Sequence, residues 1–193
     1  MLARLLDECG PPLDSGPDRP APDDHYGALV RAIVGQQLST KAARSIYGKL
    51  TALFGGRPPK PQEILDYDPE ELRTAVGLSR AKASYLRSLA EHVLSGELEL
   101  DKLDALPDDE VIAELVAVKG IGEWSAHMFL MFQLDRPDVL ATGDLGVRRA
   151  IQIAYGLDAL PSPAEMDAMA ESWKPWRTVA CRILWHSLDN APT

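Results

Sequence analysis

The chain of 193 residues carries 20 basic and 29 acidic side chains, a net charge of −9, and 46% of its residues are hydrophobic. This composition excludes a disordered or collagen-like chain, and no apolar run approaches the ~18 residues of a membrane span. Two cysteines, Cys9 and Cys181, exclude a disulfide framework and a four-cysteine metal cluster. The short, acidic N-terminus is unlike a signal peptide, so we expect a cytoplasmic protein.

Helix start and stop signals recur along the chain and predict an all-α protein with about ten helices. Five prolines over residues 10–22 predict a loop, because proline cannot occupy a helix interior. No stretch shows the apolar alternation of a strand. The predicted helices cover roughly residues 24–36, 39–54, a segment after Asp68, 79–94, 108–119, 122–134, 145–155, 163–173 and 177–188.

The charge is unevenly distributed. Residues 31–60 contain six basic side chains and no acid, whereas residues 61–118 contain five basic and fourteen acidic side chains. A local acid-free segment of this kind attracts a phosphate backbone. It is equally typical of a solvated surface that pairs with the acidic part of the same chain, so charge alone leaves both interpretations open.

The most informative stretch covers residues 115–126, where one predicted helix ends, Gly120 and Gly122 follow, and a second helix begins at once. Glycine permits the positive φ of a tight turn and the close approach of another backbone. The N–H groups at the start of the new helix form an anion site suited to a DNA phosphate. Two glycines between helices are weak support by themselves, since a plain helix C-cap has the same pattern.

The wider pattern resembles the helix-hairpin-helix DNA glycosylase superfamily, in particular the DNA-3-methyladenine glycosylase II type. The resemblance extends from about residue 24 to the C-terminal region and depends on five ordered blocks. These blocks are residues 32–39, 77–82, the hairpin with Trp124, residues 138–148 and residues 173–177.

The resemblance implies a two-lobed all-α fold with the active-site cleft between the lobes. One lobe would cover about residues 31–134, with a wedge loop and the hairpin, and the other residues 1–30 and 135–193. We expect a single catalytic unit without the separate N-terminal β domain that some family members carry.

The resemblance assigns the catalytic carboxylate to Asp144. The position also suits a helix N-cap for the predicted helix 145–155. The two roles are compatible, because a capping carboxylate is held in a fixed direction. A carboxylate near the anomeric carbon stabilises the positive charge that builds on the sugar as the N-glycosidic bond breaks.

The resemblance also implies a pocket for the flipped base, lined by Trp124, Met128 and Trp185. An alkylated purine is cationic, and each aromatic face attracts it by about 0.5–2 kcal/mol. Family members often carry an aromatic residue at the position of Met128, so we expect a more open or less selective pocket. Packing in the core is the alternative role for each tryptophan.

DNA contacts are expected in two places. The loop 36–38 would insert a wedge into the duplex, with Gln37 favoured over Leu38, because side chains wedged between base steps stabilise a kinked duplex. Around the hairpin, the expected DNA-binding residues are Lys119, Gly120, Gly122 and Ser125. The family's hairpin also commonly holds a structural Na⁺ or K⁺ through main-chain carbonyls, which here would belong to Val116, Val118 and Gly120.

Bifunctional family members carry a nucleophilic lysine two residues after the second hairpin glycine, where this chain has Trp124. We therefore predict a monofunctional glycosylase of base excision repair that releases alkylated bases such as 3-methyladenine and 7-methylguanine and leaves an abasic site. No cofactor is expected in catalysis, and the two cysteines argue against an iron–sulfur cluster.

The expected partner is double-stranded DNA containing alkylated bases, bound by a monomer at the nucleoid, with no membrane contact. Two alternatives remain open. One is a non-catalytic DNA-binding module that uses only the hairpin, and the other is a bifunctional glycosylase/lyase for other damaged bases.

Overall fold

The computed structural model describes residues 1–10 and 24–189, and over these residues it contains helices and no strand. Two 3-10 segments, Leu100–Ala105 and Glu171–Trp173, accompany the α-helices. The α-helices are α1 Leu2–Cys9, α2 His25–Gly35, α3 Thr40–Leu53, α4 Pro61–Asp66, α5 Pro69–Val76, α6 Arg80–Ser95, α7 Asp108–Ala117, α8 Glu123–Phe132, α9 Leu145–Tyr155, α10 Pro163–Ala170 and α11 Arg177–Asp189. None of these helices is both long and apolar enough to cross a membrane.

Side-chain caps set most of the helix starts, as the sequence predicts. Ser39, Asp68 and Ser162 each accept hydrogen bonds from backbone N–H groups in the first turn of α3, α5 and α10. In α10 the Glu165 carboxylate also accepts from the Ser162 backbone at 2.7 Å, which completes the predicted capping box. Local signals therefore account for the helix boundaries.

Two short helices were not predicted. Helix α1 is an amphipathic eight-residue segment that packs against α11, and α4 is a six-residue helix that packs against α6. Both are too short to show two full turns of periodicity, and tertiary packing stabilises them. The predicted helix over 163–173 is a shorter α-helix followed by a 3-10 turn. The predicted proline-rich loop lies, apart from Gly10, outside the described residues.

The described chain forms two compact units. The first contains residues 24–129, and its core is formed by the buried apolar residues of α2 and α6 together with those of the helices packed against them. The main contributors are Leu29, Val30, Ile33, Val34, Leu50, Ile64, Leu86 and Leu89.

The second unit contains residues 1–10 and 130–189, and α11 lies at its centre, packed against α1 and α9. The predicted lobe boundaries differ from these. A boundary at residue 31 would divide α2, whose side chains are buried along its length, and the second boundary falls at 129/130 rather than 134/135. The burial of α2 places the whole helix in the first unit.

The loop over residues 136–144 is attached to the first turns of α11. Arg177 donates from Nε and Nη2 to the two carboxylate oxygens of Asp138 at 2.7 and 3.0 Å, and from Nη2 to the Asp138 carbonyl. Thr178 Oγ1 donates to the Arg136 carbonyl at 2.6 Å and accepts from the Val139 N–H at 3.0 Å. The loop thus has a fixed path before it reaches Asp144.

Replacing Asp138 with Asn should lower the free energy of unfolding by about 1–2 kcal/mol at pH 7, a modest value because both ionic side chains remain about a quarter exposed. The hydrogen bond from Arg177 holds the pKa of the Asp138 carboxyl below its ordinary value. Its contribution is therefore present above the unfolded pKa of about 4 and is lost as the pH falls through the lower folded pKa.

Urea unfolding of wild type and Asp138→Asn between pH 7 and pH 3 measures this difference. The gap should stay constant down to about pH 5 and narrow below pH 4. Asp101→Asn, at an exposed carboxylate, provides the control and should show no such gap. A gap that widens on acidification would contradict the assignment.

Candidate functional site

Asp144 stands at the N-terminus of α9 and accepts two hydrogen bonds on one oxygen. Its Oδ1 accepts from the Val147 backbone N–H at 2.8 Å and from the indole Nε1–H of Trp185 at 2.8 Å. The predicted N-cap is confirmed, and the cap holds the half-buried side chain in place. The indole hydrogen bond adds a second donor from α11, more than 40 residues away in sequence.

The Trp185 ring has a stacking partner within its own unit. It stacks on Phe132 with centroids 6.0 Å apart, and the Arg182 guanidinium lies 5.2 Å from the centre of the same Phe132 ring. A side chain at position 146 would come within 3.0 Å of Asp144 Oδ1 and 3.1 Å of Trp185 Cδ1. Gly146 therefore permits the contact between carboxylate and indole.

Trp185 thus has a contact that the predicted role in a base pocket did not include. Its N–H orients the carboxylate, and its ring packs within its own unit. The sequence offers no sign of this contact, because it joins two residues that are far apart along the chain.

The buried thiol of Cys181 lies one turn before Trp185 on α11, and its Sγ is 3.9 Å from the Val139 carbonyl. Burial raises the pKa of this thiol to about 11, so it is neutral at physiological pH. A neutral, buried thiol acts as a small packing group. The nearby ionisable candidate for chemistry is therefore the carboxylate of Asp144.

The hairpin between α7 and α8 requires glycine at one of its two glycine positions. Gly120 has φ 92°, and a Cβ there would overlap the ring of Tyr85, which packs directly against it. At Gly122, by contrast, φ is not positive and a Cβ would point into open space. Gly120 thus has a structural role, whereas Gly122 leaves the start of α8 accessible.

The predicted wedge loop is tied to the hairpin by a side chain. Gln36 Nε2 donates to the Gly120 carbonyl at 2.8 Å, and Lys82 Nζ on α6 donates to the Val34 carbonyl at 2.8 Å. Desolvation by burial lowers the pKa of Lys82 below the ordinary lysine value. These bonds fix the end of α2, from which the next two residues project.

Both wedge candidates lie on the surface. Gln37 is exposed and has φ 54°, a left-handed conformation that is uncommon for residues other than glycine. Leu38 is 38% exposed although it is apolar. An uncommon backbone conformation beside an exposed leucine is compatible with the predicted insertion, which stays a prediction for both residues.

A groove of about 370 Å³ runs beside the hairpin and includes several of the predicted site residues. Trp124 lines it and is 45% exposed, unusually high for a tryptophan in a helix, whereas Met128 is half-buried. Residues of the groove that bear on the site are Gln36, Gln37, Lys82, Tyr85, Gly120 and Trp124.

The remaining predicted DNA contacts differ in exposure. Lys119 is exposed and its Nζ lies 3.3 Å from Ser84 Oγ, so it is available to a phosphate. Ser125 is 8% exposed, and its side chain lines the groove from within. A direct contact between the Ser125 hydroxyl and DNA therefore remains a prediction with less surface to support it.

The predicted cation site fits the hairpin only in part. The Gly120 carbonyl already accepts from the Gln36 amide, whose positive N–H end would face a cation bound there. The Val118 carbonyl accepts from the Ile121 N–H at 3.0 Å, and Val116 is 41% exposed. The Gly120 and Val118 carbonyls thus each accept one hydrogen bond, and each oxygen keeps a second lone pair. A cation held by the carbonyls of Val116, Val118 and Gly120 stays a proposal.

Three residues that shape the hairpin surface had no assigned role: Gln36, Lys82 and Tyr85. Gln36 and Lys82 lie within the blocks that carry the family resemblance, and that is the only signal the sequence contains for them. Tyr85 is separated from Gly120 by 35 positions, and only the packing of α6 against the hairpin reveals the pair.

Gly120→Ala should destabilise the protein by about 2–4 kcal/mol, because it combines a strained positive φ with overlap against the Tyr85 ring. Gly122→Ala is the matched control. It adds the same methyl group two residues away in open space, where we expect a change of about 0.5 kcal/mol or less. Urea unfolding of both variants tests this, and equal effects would refute the packing argument.

Comparison with known proteins places these features in a family. Residues 30–178 match the HhH-GPD superfamily of base excision DNA repair proteins. The curated DNA-3-methyladenine glycosylase 1 of Schizosaccharomyces pombe is 36% identical over 162 residues, which are 83% of this chain and 71% of that protein.

Two solved structures are similar over nearly the whole chain. One is the Schizosaccharomyces pombe 3-methyladenine DNA glycosylase in complex with abasic DNA, with a TM-score of 0.83, 32% identity and coverage of 98% of this chain and 91% of that one. The other is a DNA-3-methyladenine glycosidase from Bacillus halodurans, with a TM-score of 0.80, 38% identity and coverage of 96% and 83%. The chain belongs to the HhH-GPD superfamily of base excision DNA repair proteins.

Proposed function

We propose that the protein is a monofunctional DNA glycosylase that removes alkylated bases, such as 3-methyladenine, from duplex DNA and leaves an abasic site. The observation that carries this proposal is the geometry of Asp144, a half-buried carboxylate held by a helix N-terminus and by the Trp185 indole. Relatives named as 3-methyladenine glycosylases, one of them solved on abasic DNA, support the same reaction. Because its proposed substrate is DNA, the protein would act in the cytoplasm, at the nucleoid.

Asp144 can supply the electrostatic part of the reaction. As the bond between sugar and base breaks, positive charge accumulates on the sugar, and an ionised carboxylate that is already oriented stabilises it without reorganisation. The same group can accept a proton from the attacking water. A cationic alkylated base is already a good leaving group, so the reaction needs no metal or cofactor from the protein.

The first unit supplies features that suit capture of damaged DNA. The exposed indole of Trp124 offers a face to a cationic base, and Gln37 and Leu38 project from a loop anchored to the hairpin. Flipping a base costs a few kcal/mol, which wedge contacts and stacking offset. Trp124 and Met128 as base contacts, and Gln37 or Leu38 as the wedge, belong to this proposal. Trp185, which lies in the second unit, is a further proposed base contact.

Position 124 also supports the monofunctional assignment. Strand cleavage by a lyase needs an amine that forms a Schiff base with the sugar, and an indole nitrogen cannot do this. Lys82 is the amine that lines the hairpin groove, and its Nζ is engaged with the Val34 carbonyl. Hydrolysis with water as the nucleophile is the reaction that these residues support.

Asp144→Asn should abolish base release while the fold and DNA binding persist. Asparagine is as good an N-cap as aspartate and keeps an oxygen for Val147 and Trp185, so the substitution removes the charge and little else. Release of methylated bases, measured as alkali-labile sites in methylated duplex, is the assay. A loss of at least 100-fold is expected, the scale of removing one oriented electrostatic group.

Controls separate chemistry from folding. Asp144→Ala removes the cap as well and should cost a further ~1 kcal/mol of stability, which thermal unfolding detects. Borohydride added to the wild-type reaction should trap no covalent complex. Full activity of Asp144→Asn, or a trapped complex, would overturn the proposed function in its present form.

Trp185→Phe tests the role of the indole N–H in orienting Asp144. Phenylalanine keeps a ring to stack on Phe132 but cannot donate to the carboxylate. Loss of a hydrogen bond to a charged group, worth about 1.5–3 kcal/mol, should slow base release about 10- to 100-fold at saturating protein.

A reduced single-turnover rate of Trp185→Phe, with an unchanged dissociation constant for abasic duplex, would identify a positioning effect. Phe132→Leu, which disturbs the stacking partner and leaves the indole hydrogen bond possible, is the comparison and should have a smaller effect. If Trp185→Phe weakens DNA binding and leaves the rate unchanged, the positioning role is wrong.

A further inference from the structure

Helix α3 has a solvent face that the proposed chemistry does not use. Eight of its fourteen residues are exposed, and seven of these repeat at helical spacing along one side. This α3 face consists of Lys41, Arg44, Ser45, Gly48, Lys49, Ala52 and Leu53. It contains three basic side chains and no acid.

The three cations of the α3 face have no carboxylate partner in the part of the chain that the structure describes. Among the described residues, Lys41, Arg44 and Lys49 form no ion pair. Arg57, in the same acid-free segment, does form an ion pair. Its guanidinium donates two hydrogen bonds to the Glu63 carboxylate, at 2.6 and 2.9 Å. The segment therefore contains an ion pair at Arg57 and an α3 face whose charge no described carboxylate compensates.

A second feature of the α3 face, independent of its charge, is a glycine in the interior of the helix, Gly48. Glycine destabilises a helix interior relative to alanine, so a glycine there usually serves close packing. At Gly48 a Cβ would meet nothing within 4 Å, in contrast to Gly120 and Gly146, which contact other parts of the protein. Packing against residues 1–10 and 24–189 thus does not account for this glycine. Close approach of an external backbone at the middle of the α3 face would.

We infer that the α3 face is a phosphate-binding track that extends the contact with duplex DNA beyond the hairpin and the wedge loop. This inference rests on the proposed function and adds to it a surface outside the hairpin. Lys41 and Lys49 are eight residues apart on a helix, or about 12 Å, which matches three to four phosphates of one strand at about 3.4 Å along the duplex axis.

The chemistry favours nucleic acid as the occupant. The cations bracket a shallow, small-residue centre, and a phosphate backbone presents regular negative charge to such a surface. Helix α3 also begins immediately after the exposed wedge residues Gln37 and Leu38, so the two features are continuous along the chain. An acidic protein surface is the competing occupant, and it predicts no effect on DNA binding.

The salt dependence of DNA binding tests the track. Lys41→Gln/Lys49→Gln should reduce the slope of log K against log salt by about 1.8, since each phosphate contact contributes about 0.9. The control is Lys102→Gln/Lys174→Gln, which removes the same charge from two exposed lysines that are paired with Glu99 and Glu171. The probe is a duplex carrying a stable tetrahydrofuran abasic analogue, with no base to release.

Gly48→Leu provides a second measurement that does not alter charge. Leucine is a better helix former, so the thermal unfolding midpoint should stay the same or rise, while affinity for the duplex should fall about tenfold, or ~1.4 kcal/mol. Ala113→Leu, at an exposed position of α7, is the matched control and should leave affinity unchanged. Opposite movements of stability and affinity cannot result from unfolding.

The track is supported if only Lys41→Gln/Lys49→Gln reduces the slope of log K against log salt and if Gly48→Leu weakens binding. Equal slopes for both lysine pairs overturn it, whatever the effect at Gly48. Base release by wild type is measured separately: if it is absent, the proposed glycosylase function fails while the slopes still decide whether α3 binds DNA.

Discussion

The row of side chains that α11 presents to the loop over residues 136–144 determines where Asp144 stands. Arg177, Cys181 and Trp185 recur at intervals of four, so they lie on one face of the helix. Arg177 binds Asp138, Cys181 packs at Val139, and Trp185 donates to Asp144. The loop therefore has an ion pair at its start and an indole hydrogen bond at its end, and the N-cap of α9 completes the constraint. An irregular segment gains in this way the rigidity that the proposed catalytic role of Asp144 requires.

In the other unit, the hairpin is likewise an irregular segment that side-chain contacts hold in one conformation. A two-glycine turn would be free to adopt several conformations, but the Tyr85 ring occupies the space above Gly120 and the Gln36 amide binds its carbonyl. The predicted wedge loop is thus joined to the hairpin through the Gln36 side chain. The exposed residues that follow, Gln37 and Leu38, project from a fixed base, which would lower the entropic cost of the proposed insertion into a duplex.

Charge acts locally in this acidic protein. The ion pair between Arg57 and Glu63 shows that part of the acid-free segment is compensated by the neighbouring acidic region, as one of the two sequence interpretations held. The cations of α3 have no such compensation among the described residues, as the other interpretation held. A net charge of −9 is therefore compatible with DNA binding. At an ionic strength of about 0.1 M, salt screens charges that lie more than about 10 Å from the DNA, so the local charge of the surface dominates the attraction.

The sequence by itself determined the all-α class, most helix boundaries, the cap at Asp144 and the family, because caps, prolines and motif blocks are local signals that single stretches of chain contain. It did not predict α1 or α4, which are too short to show periodicity and depend on α11 and α6 for their stability. Nor did it show that Trp185 binds Asp144, that Tyr85 requires glycine at position 120, or that Gln36 occupies a carbonyl proposed for a cation. Those contacts join residues 35 to 84 positions apart, so only tertiary packing could decide them.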